Sequence, residues 1–513
     1  MPHVSPLPSS ASQPPLRAWE LAAQAPHSPH HSTAQIAAIV GAGLLIIVAG
    51  ALLSLYFGRR AKGAGDWLTA SESLPLIVVV ITQFATAAGG GVLIAHVGIA
   101  YASGWAVFAY EFCVVLGFFG LALIAPWLRR QGFATIPDVI TKLFGHGRTV
   151  VALAGLCALV VPFGWLATQF VAFSKLFGQL TGLSPEPLIL VIAAASLIFV
   201  LPGGLTSVAW TDFVFGIFKI VMSLVVAGYA VHAAGGWSGI TRSVPDGLWR
   251  PEGVFAAGGE QTWLWLAAIL PGTLTNQLYY QRLFATKKLG DARRGLVLSG
   301  FTILIGGVYA AAIGLSVRAR NPGLGNPEEA AGWLITQLPP VLLVTYGAFL
   351  VATIVSTSGS ALQSVVTNLV RDLYESVAGR RAADRRLVSY SRLCTVAVTV
   401  VAAVLAIAFP SALTWLVATY AYSAAALAAP VFLGYLLRRR FRLTPAAALA
   451  TMCAGLVGCG AAQIADTTVP YAVYGIAASI VVLLAFAVCA GRARPATTSA
   501  EPAITERERS TSA

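Results

Sequence analysis

In the stretch "LVATIVSTSGSALQSVV", Thr353, Ser356 and Thr357 stand at i, i+3 and i+4, so a helix presents their hydroxyls on one face. Hydroxyl and carbonyl oxygens, with no nitrogen or sulfur among them, are the ligands a small hard cation takes. The plain alternative is back-bonding of Ser and Thr to the carbonyl four residues earlier. A second stretch, "FATAAGGGVLIAH" from Phe84, sets Gly89, Gly90 and Gly91 in succession inside an apolar run. Each glycine costs a helix about 1 kcal/mol against alanine. A third, "PGTLTNQLYYQRLF", follows Pro271 and Gly272 with Thr273, Thr275 and Asn276. Broken helix at membrane depth is tolerated where the freed backbone is buried in protein or lines a cavity. Close packing of small residues is the competing explanation.

These segments must be held by membrane helices. The 513 residues are 57% hydrophobic and 10% charged, with mean hydropathy +0.78, a composition far from that of a soluble domain. Apolar runs of about 20 residues recur from Ile36 to Cys489, each long enough to cross a bilayer as a helix. The alternating ten-residue pattern of a transmembrane barrel is absent. Candidate spans are 35–57, 76–102, 105–128, 149–179, 188–203, 208–233, 262–284, 295–317, 341–370, 389–408, 411–437, 444–464 and 470–490. The second and seventh carry the interruptions, five spans apart, which is the pattern of an inverted-repeat transporter with its site at the breaks. The organisation expected is a disordered extracytoplasmic tail over 1–33, one transmembrane domain over 34–491, and a cytoplasmic tail over 492–513. Within the domain, repeat one covers about 76–233 and repeat two about 262–437.

Charge orients the chain. Most of the 33 Lys and Arg fall in loops on one side, so the positive-inside rule places the N-terminus outside and the C-terminus in the cytoplasm of a multi-pass plasma-membrane protein. The net charge of +13 is then a skirt facing anionic lipid rather than a nucleic-acid surface. The His cluster "HSPHH" ending at His31 has no Cys or carboxylate beside it and reads as part of a solvated tail. The six cysteines lie in spans without CxxC spacing and read as small buried residues. No HExxH, paired catalytic carboxylates or Walker loop is present, so the chain is not read as an enzyme.

Of the ionisable residues inside the spans, five bear on function. Glu111 is costly there and faces either a cavity or a structural partner. Asp212 and Lys219, seven apart, share a face and either pair or find separate partners. Lys175 lies near an outer end, where a lysine can snorkel. His96, a turn beyond the glycines, reads as a packed or hydrogen-bonded histidine, with protonation chemistry as the alternative.

An ordered set of motifs runs from "GDWLTASESLP" through "YEF", "GFATIPDVITKLFG", "PGGLTSVAWTDFV" and "NQLYYQRLFATKKLGDARRG" to "VSTSGSALQSVVTNLVRDLYE". In that order they resemble the sodium:solute symporters, the group of bacterial proline, pantothenate and galactose carriers, over about Ala61 to Gly434. The resemblance implies an all-α integral membrane protein of about 13 transmembrane helices, with a LeuT-type five-plus-five inverted repeat and two broken helices. It implies Na⁺-coupled symport of a small organic solute into the cell by alternating access, with Na⁺ as coupling ion and solute and lipid bilayer as partners. The oligomeric state is left open, a monomer being sufficient.

The family's sodium ligands fall on the carbonyls of Ala85 and Ala88, and on Thr353, Ser356 and Thr357. Ala87 stands where proline carriers have an Asp, which leaves the expected ion site without a charged neighbour. For the solute, the resemblance and the glycine wall together point to Gly89, Gly90, Gly91, Glu111, Gly272, Thr273 and Asn276. Val92 replaces the Gln of sugar carriers, and Gly272 and Thr273 replace their aromatic gate, so a bulkier or flatter solute is expected. Its anionic group would meet N–H groups freed at the glycines. Asp212, in "WTD", is the coupling residue the resemblance suggests. Two rivals remain: a proton-driven symporter of the same fold, using Glu111, Asp212 or His96, and a solute sensor.

Overall fold

The computed structural model describes residues 32–491 apart from 60, 62 and 378–383. The expectations for the two tails, the His31 cluster included, lie largely outside the described residues. The described chain is all-helical, save for one isolated β-bridge between Leu74 and Thr286. In order it forms α1 (Thr33–Gly58), α2 (Leu76–Ala87), α3 (Gly91–Ser103), α4 (Ala106–Arg130), α5 (Arg148–Thr181), α6 (Pro185–Val200) and α7 (Gly204–Ala233). The second half continues with α8 (Gly259–Leu274), α9 (Gln277–Phe284), α10 (Leu289–Arg320), α11 (Pro340–Thr367), α12 (Asp384–Ala408), α13 (Ala412–Ala428), α14 (Pro445–Ile464) and α15 (Tyr471–Ala490).

Among the described residues, ten helices are long and apolar enough to cross a membrane, and α2 with α3 makes one more as a pair bent by 56°. The shorter α6 and the interrupted α8–α9 complete the set read from the sequence. Proline at the first helical turn opens α6, α11 and α14, where its missing N–H is no loss. Gly182, at φ +69°, closes α5.

Burial sorts centre from periphery. The helix beginning with α11 is the most enclosed, with 78% of its apolar window buried, whereas α1 has 17% and α15 has 28%. The outer helices turn Leu and Val outward, among them Leu45, Leu123, Leu393 and Val488, as surfaces bathed in lipid require. Cys453 and Cys489 are exposed on such faces and Cys394 is half-buried, so three of the six cysteines are not the core residues expected.

The interruption in α8–α9 lies later than the sequence suggests. The helix continues through Pro271 and Gly272 to Leu274, and the break falls at Thr275 and Asn276. The Thr275 hydroxyl donates to the Pro271 and Gly272 carbonyls. Asn276 Oδ1 then accepts from the Leu278 N–H at 3.0 Å and starts α9 as an N-cap. The Thr275 hydroxyl thus takes up carbonyls at the break itself, and Pro271 lies inside the helix without ending it. At the start of α2 and the end of α9, away from the breaks, the halves are joined: Leu74 N–H donates to the Ala285 carbonyl and Lys287 N–H to the Leu74 carbonyl.

Candidate solute and cation site

At the break in α2–α3 the backbone partners change. Ala88 N–H still donates to Phe84 O, but Gly89 N–H turns back to Ala87 O and Gly90 N–H leaves the helix for Gln169 Oε1 of α5, at 2.6 Å. The Ala85 carbonyl therefore has no helical donor four residues on. It accepts instead from the Thr357 hydroxyl at 3.1 Å and from Lys219 Nζ at 2.5 Å. The glycines are required by closeness: a Cβ on Gly89 would lie 2.7 Å from Thr357 Cγ2 and 2.8 Å from Gln169 Oε1, and one on Gly91 would lie 2.7 Å from Leu416 Cδ1. Three glycines in a row thus bring the break against α5, α11 and α13.

The bend faces a small, partly open cavity with room of about 30 Å³ in this arrangement. Ala88, Gly89 and Gly91 line it on one side, Glu111 and His96 on another, with Gln169 and the rings of Tyr110, Trp165, Tyr279 and Tyr420 around it. Glu111 is 1% exposed, and its Oε1 lies 2.7 Å from His96 Nδ1. The carboxylate thus has both a partner and a face on the cavity. Of the expected solute residues, Gly90 spends its N–H on Gln169 and is not in the lining, which withdraws that N–H from an anionic group. Gly272, Thr273 and Asn276 stand behind the lining: a Cβ on Gly272 would meet the Tyr420 ring, and Asn276 Nδ2 donates to Tyr420 Oη at 3.4 Å. They support the tyrosine that faces the cavity.

Of the expected sodium ligands, Ala85, Ser356 and Thr357 come together. Ala88 lines the cavity, and the Thr353 hydroxyl is buried without a hydrogen-bond partner. The convergence is not free of charge, as Ala87 had suggested. Ser356 Oγ donates to Asp212 Oδ1 at 2.5 Å and accepts from Lys219 Nζ at 3.4 Å. Asp212 Oδ2 takes further donors: Thr82 at 2.9 Å, Ser360 at 2.6 Å, Thr86 at 3.4 Å and Arg282 Nη2 at 3.3 Å. Arg282 also donates to Ser360 Oγ and to the Leu278 carbonyl. Asp212, Lys219 and Arg282 are each at most 1% exposed. Lys219 is therefore no snorkelling lysine, whereas Lys175 sits at an outer edge, ion-paired with Glu328.

Sequence reasoning overlooked Gln169, Trp165, Tyr279, Tyr420 and Arg282. The one available signal was polarity in an apolar context, "LATQF" and "YYQRLF"; aromatic residues give none, because core and cavity use them alike.

The sequence model of the sodium:solute symporter family matches residues 67–455. The chain is 24% identical over 402 residues to the "Sodium/glucose cotransporter" of Vibrio parahaemolyticus, covering 69% of this chain and 72% of that protein. It is 28% identical over 371 residues to the "High-affinity proline transporter PutP" of Bacillus subtilis, covering 69% and 78%. Among solved structures, a substrate-bound, outward-open Na⁺-coupled sialic acid symporter aligns with a TM-score of 0.77 at 18% identity, covering 89% of this chain and 99% of that one. A nucleobase-cation-symport-1 family transporter in a closed conformation aligns with a TM-score of 0.57 at 14% identity, covering 84% and 96%. These likenesses establish the fold as the five-plus-five inverted repeat of such transporters.

Proposed function

Because the chain belongs to the sodium:solute symporter family, we propose that it is a secondary transporter that carries a small organic solute into the cell by alternating access. The observation that carries this reading is the cavity at the break of α2–α3, with the buried Glu111–His96 pair in its wall. A carboxylate held in an apolar, aromatic-lined space gives a solute one fixed polar contact and a broad apolar one, as small-molecule sites do. The solute class that fits is a hydrogen-bond donor with a flat apolar part that stacks on the rings of Tyr110, Trp165, Tyr279 and Tyr420. The N-terminus outside and the C-terminus inside follow from the distribution of Lys and Arg.

Sodium is the coupling ion that the family's name carries. Three oxygens that would hold it here do gather, but Lys219 Nζ already stands among them. That donor set does not fit a free Na⁺ in this arrangement, so no step of the transport cycle is assigned to one. A proton-driven cycle is the second reading, favoured by the ionisable Glu111–His96 pair on the cavity itself.

The test is a panel of polyols, amino acids and quaternary ammonium compounds, screened by thermal stabilisation of the purified protein and then as radiolabelled solutes in proteoliposomes. A solute that stabilises the wild type should lose at least about tenfold in affinity in Glu111→Gln, the equivalent of about 1.4 kcal/mol. A solute bound equally by both proteins refutes the placement.

A further inference from the structure

The family's ion position holds a residue of this chain. We infer that the Lys219 ammonium is a covalently tethered cation that takes the place of sodium between α2 and α11, so that no Na⁺ binds at Ala85, Ser356 and Thr357. The inference deepens the transporter reading above and rests on it.

The chemistry of the position calls for a cation. Ala85 lies in the last turn of α2, where unpaired carbonyls make the negative end of a helix. The glycine break strips Ala85 O of its helical donor, and the adjacent hydroxyls of Ser356 and Thr357 on α11 are gathered beside it. Lys219 supplies the positive charge directly, at 2.5 Å from Ala85 O and 3.4 Å from Ser356 Oγ. A hard cation on carbonyl and hydroxyl oxygens keeps distances of about 2.3–2.6 Å. An ion held at that distance from Ala85 O would share the oxygen with the ammonium, and the two like charges would repel each other.

The backbone is shaped for this reach. Gly216, one turn before Lys219 on α7, lies so close to α2 that a Cβ there would be 2.5 Å from Ile81 Cγ2 and 3.1 Å from Ile81 O. That closeness carries α7 against α2, and Lys219 then extends to Ala85, one helical turn beyond Ile81. The lysine has no ion pair of its own among the described residues. Asp212 is ion-paired to Arg282 and shares Ser356 with Lys219 as a hydrogen-bond partner. A merely structural buried lysine would be expected to pair with the carboxylate on its own helix face. This one passes it to meet the carbonyl of the broken helix. The lone ammonium thus bridges α2, α7 and α11, the bridge expected of a bound ion.

The experiment follows thermal unfolding of the full chain in detergent against NaCl, with KCl at matched ionic strength. It uses the wild type, Lys219→Ala, and Lys219→Ala combined with Ser356→Ala. Ion binding is read without any solute, so a failure of the solute site at Glu111 leaves this outcome untouched. The wild type should show no shift beyond that in KCl. Lys219→Ala should gain a saturable Na⁺ response, which at a hundredfold excess over Kd favours the folded state by about a hundredfold, and the added Ser356→Ala should remove it. A saturable Na⁺ response in the wild type, or no response in Lys219→Ala, overturns the inference. Should Lys219→Ala fail to fold, binding of radiolabelled Na⁺ to the wild type decides: none at any concentration up to that of the salt series supports the tethered cation, and saturable binding abolished by Ser356→Ala overturns it.

Discussion

Replacing Asp212 by Asn leaves the shape of the side chain and removes its charge, and the structure states what then goes unpaired. Arg282, fully buried, has Asp212 as its one ion-pair partner among the described residues, with Ser360, Thr82 and the Leu278 carbonyl as neutral acceptors. Removing one member of a buried pair costs about 3–5 kcal/mol, because the other charge stays buried without compensation. The reverse change, Arg282→Gln, is milder. Asp212 keeps four hydroxyl donors, from Thr82, Thr86, Ser356 and Ser360, and carboxylates are well served by such bonds, so about 1–3 kcal/mol is expected. The double variant should cost no more than Asp212→Asn alone, since the stranded charge is gone. Equilibrium unfolding in mixed SDS micelles measures all three. Additive losses, or an Asp212→Asn cost under about 1 kcal/mol, would refute the reasoning.

Gly89→Ala should lower stability by about 1–3 kcal/mol through overpacking, because its Cβ would press on Thr357 and Gln169; a thermal melt equal to that of the wild type would sink the account of the glycine break. For orientation, a membrane-impermeant maleimide applied to intact cells should label Ser32→Cys and spare Gly491→Cys, both at the edges of the helical bundle; the opposite labelling reverses the assigned sidedness.

The spans were legible because lipid demands apolar runs of fixed length, and the break in α2–α3 because three successive glycines have no helical purpose. The face shared by Ser356 and Thr357 followed from helical spacing. The α8–α9 break was misplaced by about one turn, since Pro271 is the stronger local signal while the actual interruption depends on Thr275, Asn276 and the α13 residue Ser423 that contacts Thr275. The partner of Lys219 was illegible. Ala85 lies 134 positions away in sequence, and the contact depends on the closeness that Gly216 allows. Tyr420 and Trp165 could not be assigned to the cavity, because burial in a core and burial around a solute draw on the same residues.

The Asp212 cluster draws donors from α2, α9 and α11 onto one carboxylate of α7, and so grips both broken helices at once. Such a knot does not loosen by degrees. Parting its helices by the width of a water molecule admits solvent, and every remaining charge contact weakens together as the local dielectric rises. The released ions are then hydrated, so the fully parted arrangement regains what the half-parted one lacks. Two end positions are favoured over the path between them. The carboxylate is in that sense a snap fastener: its contacts hold together or let go together.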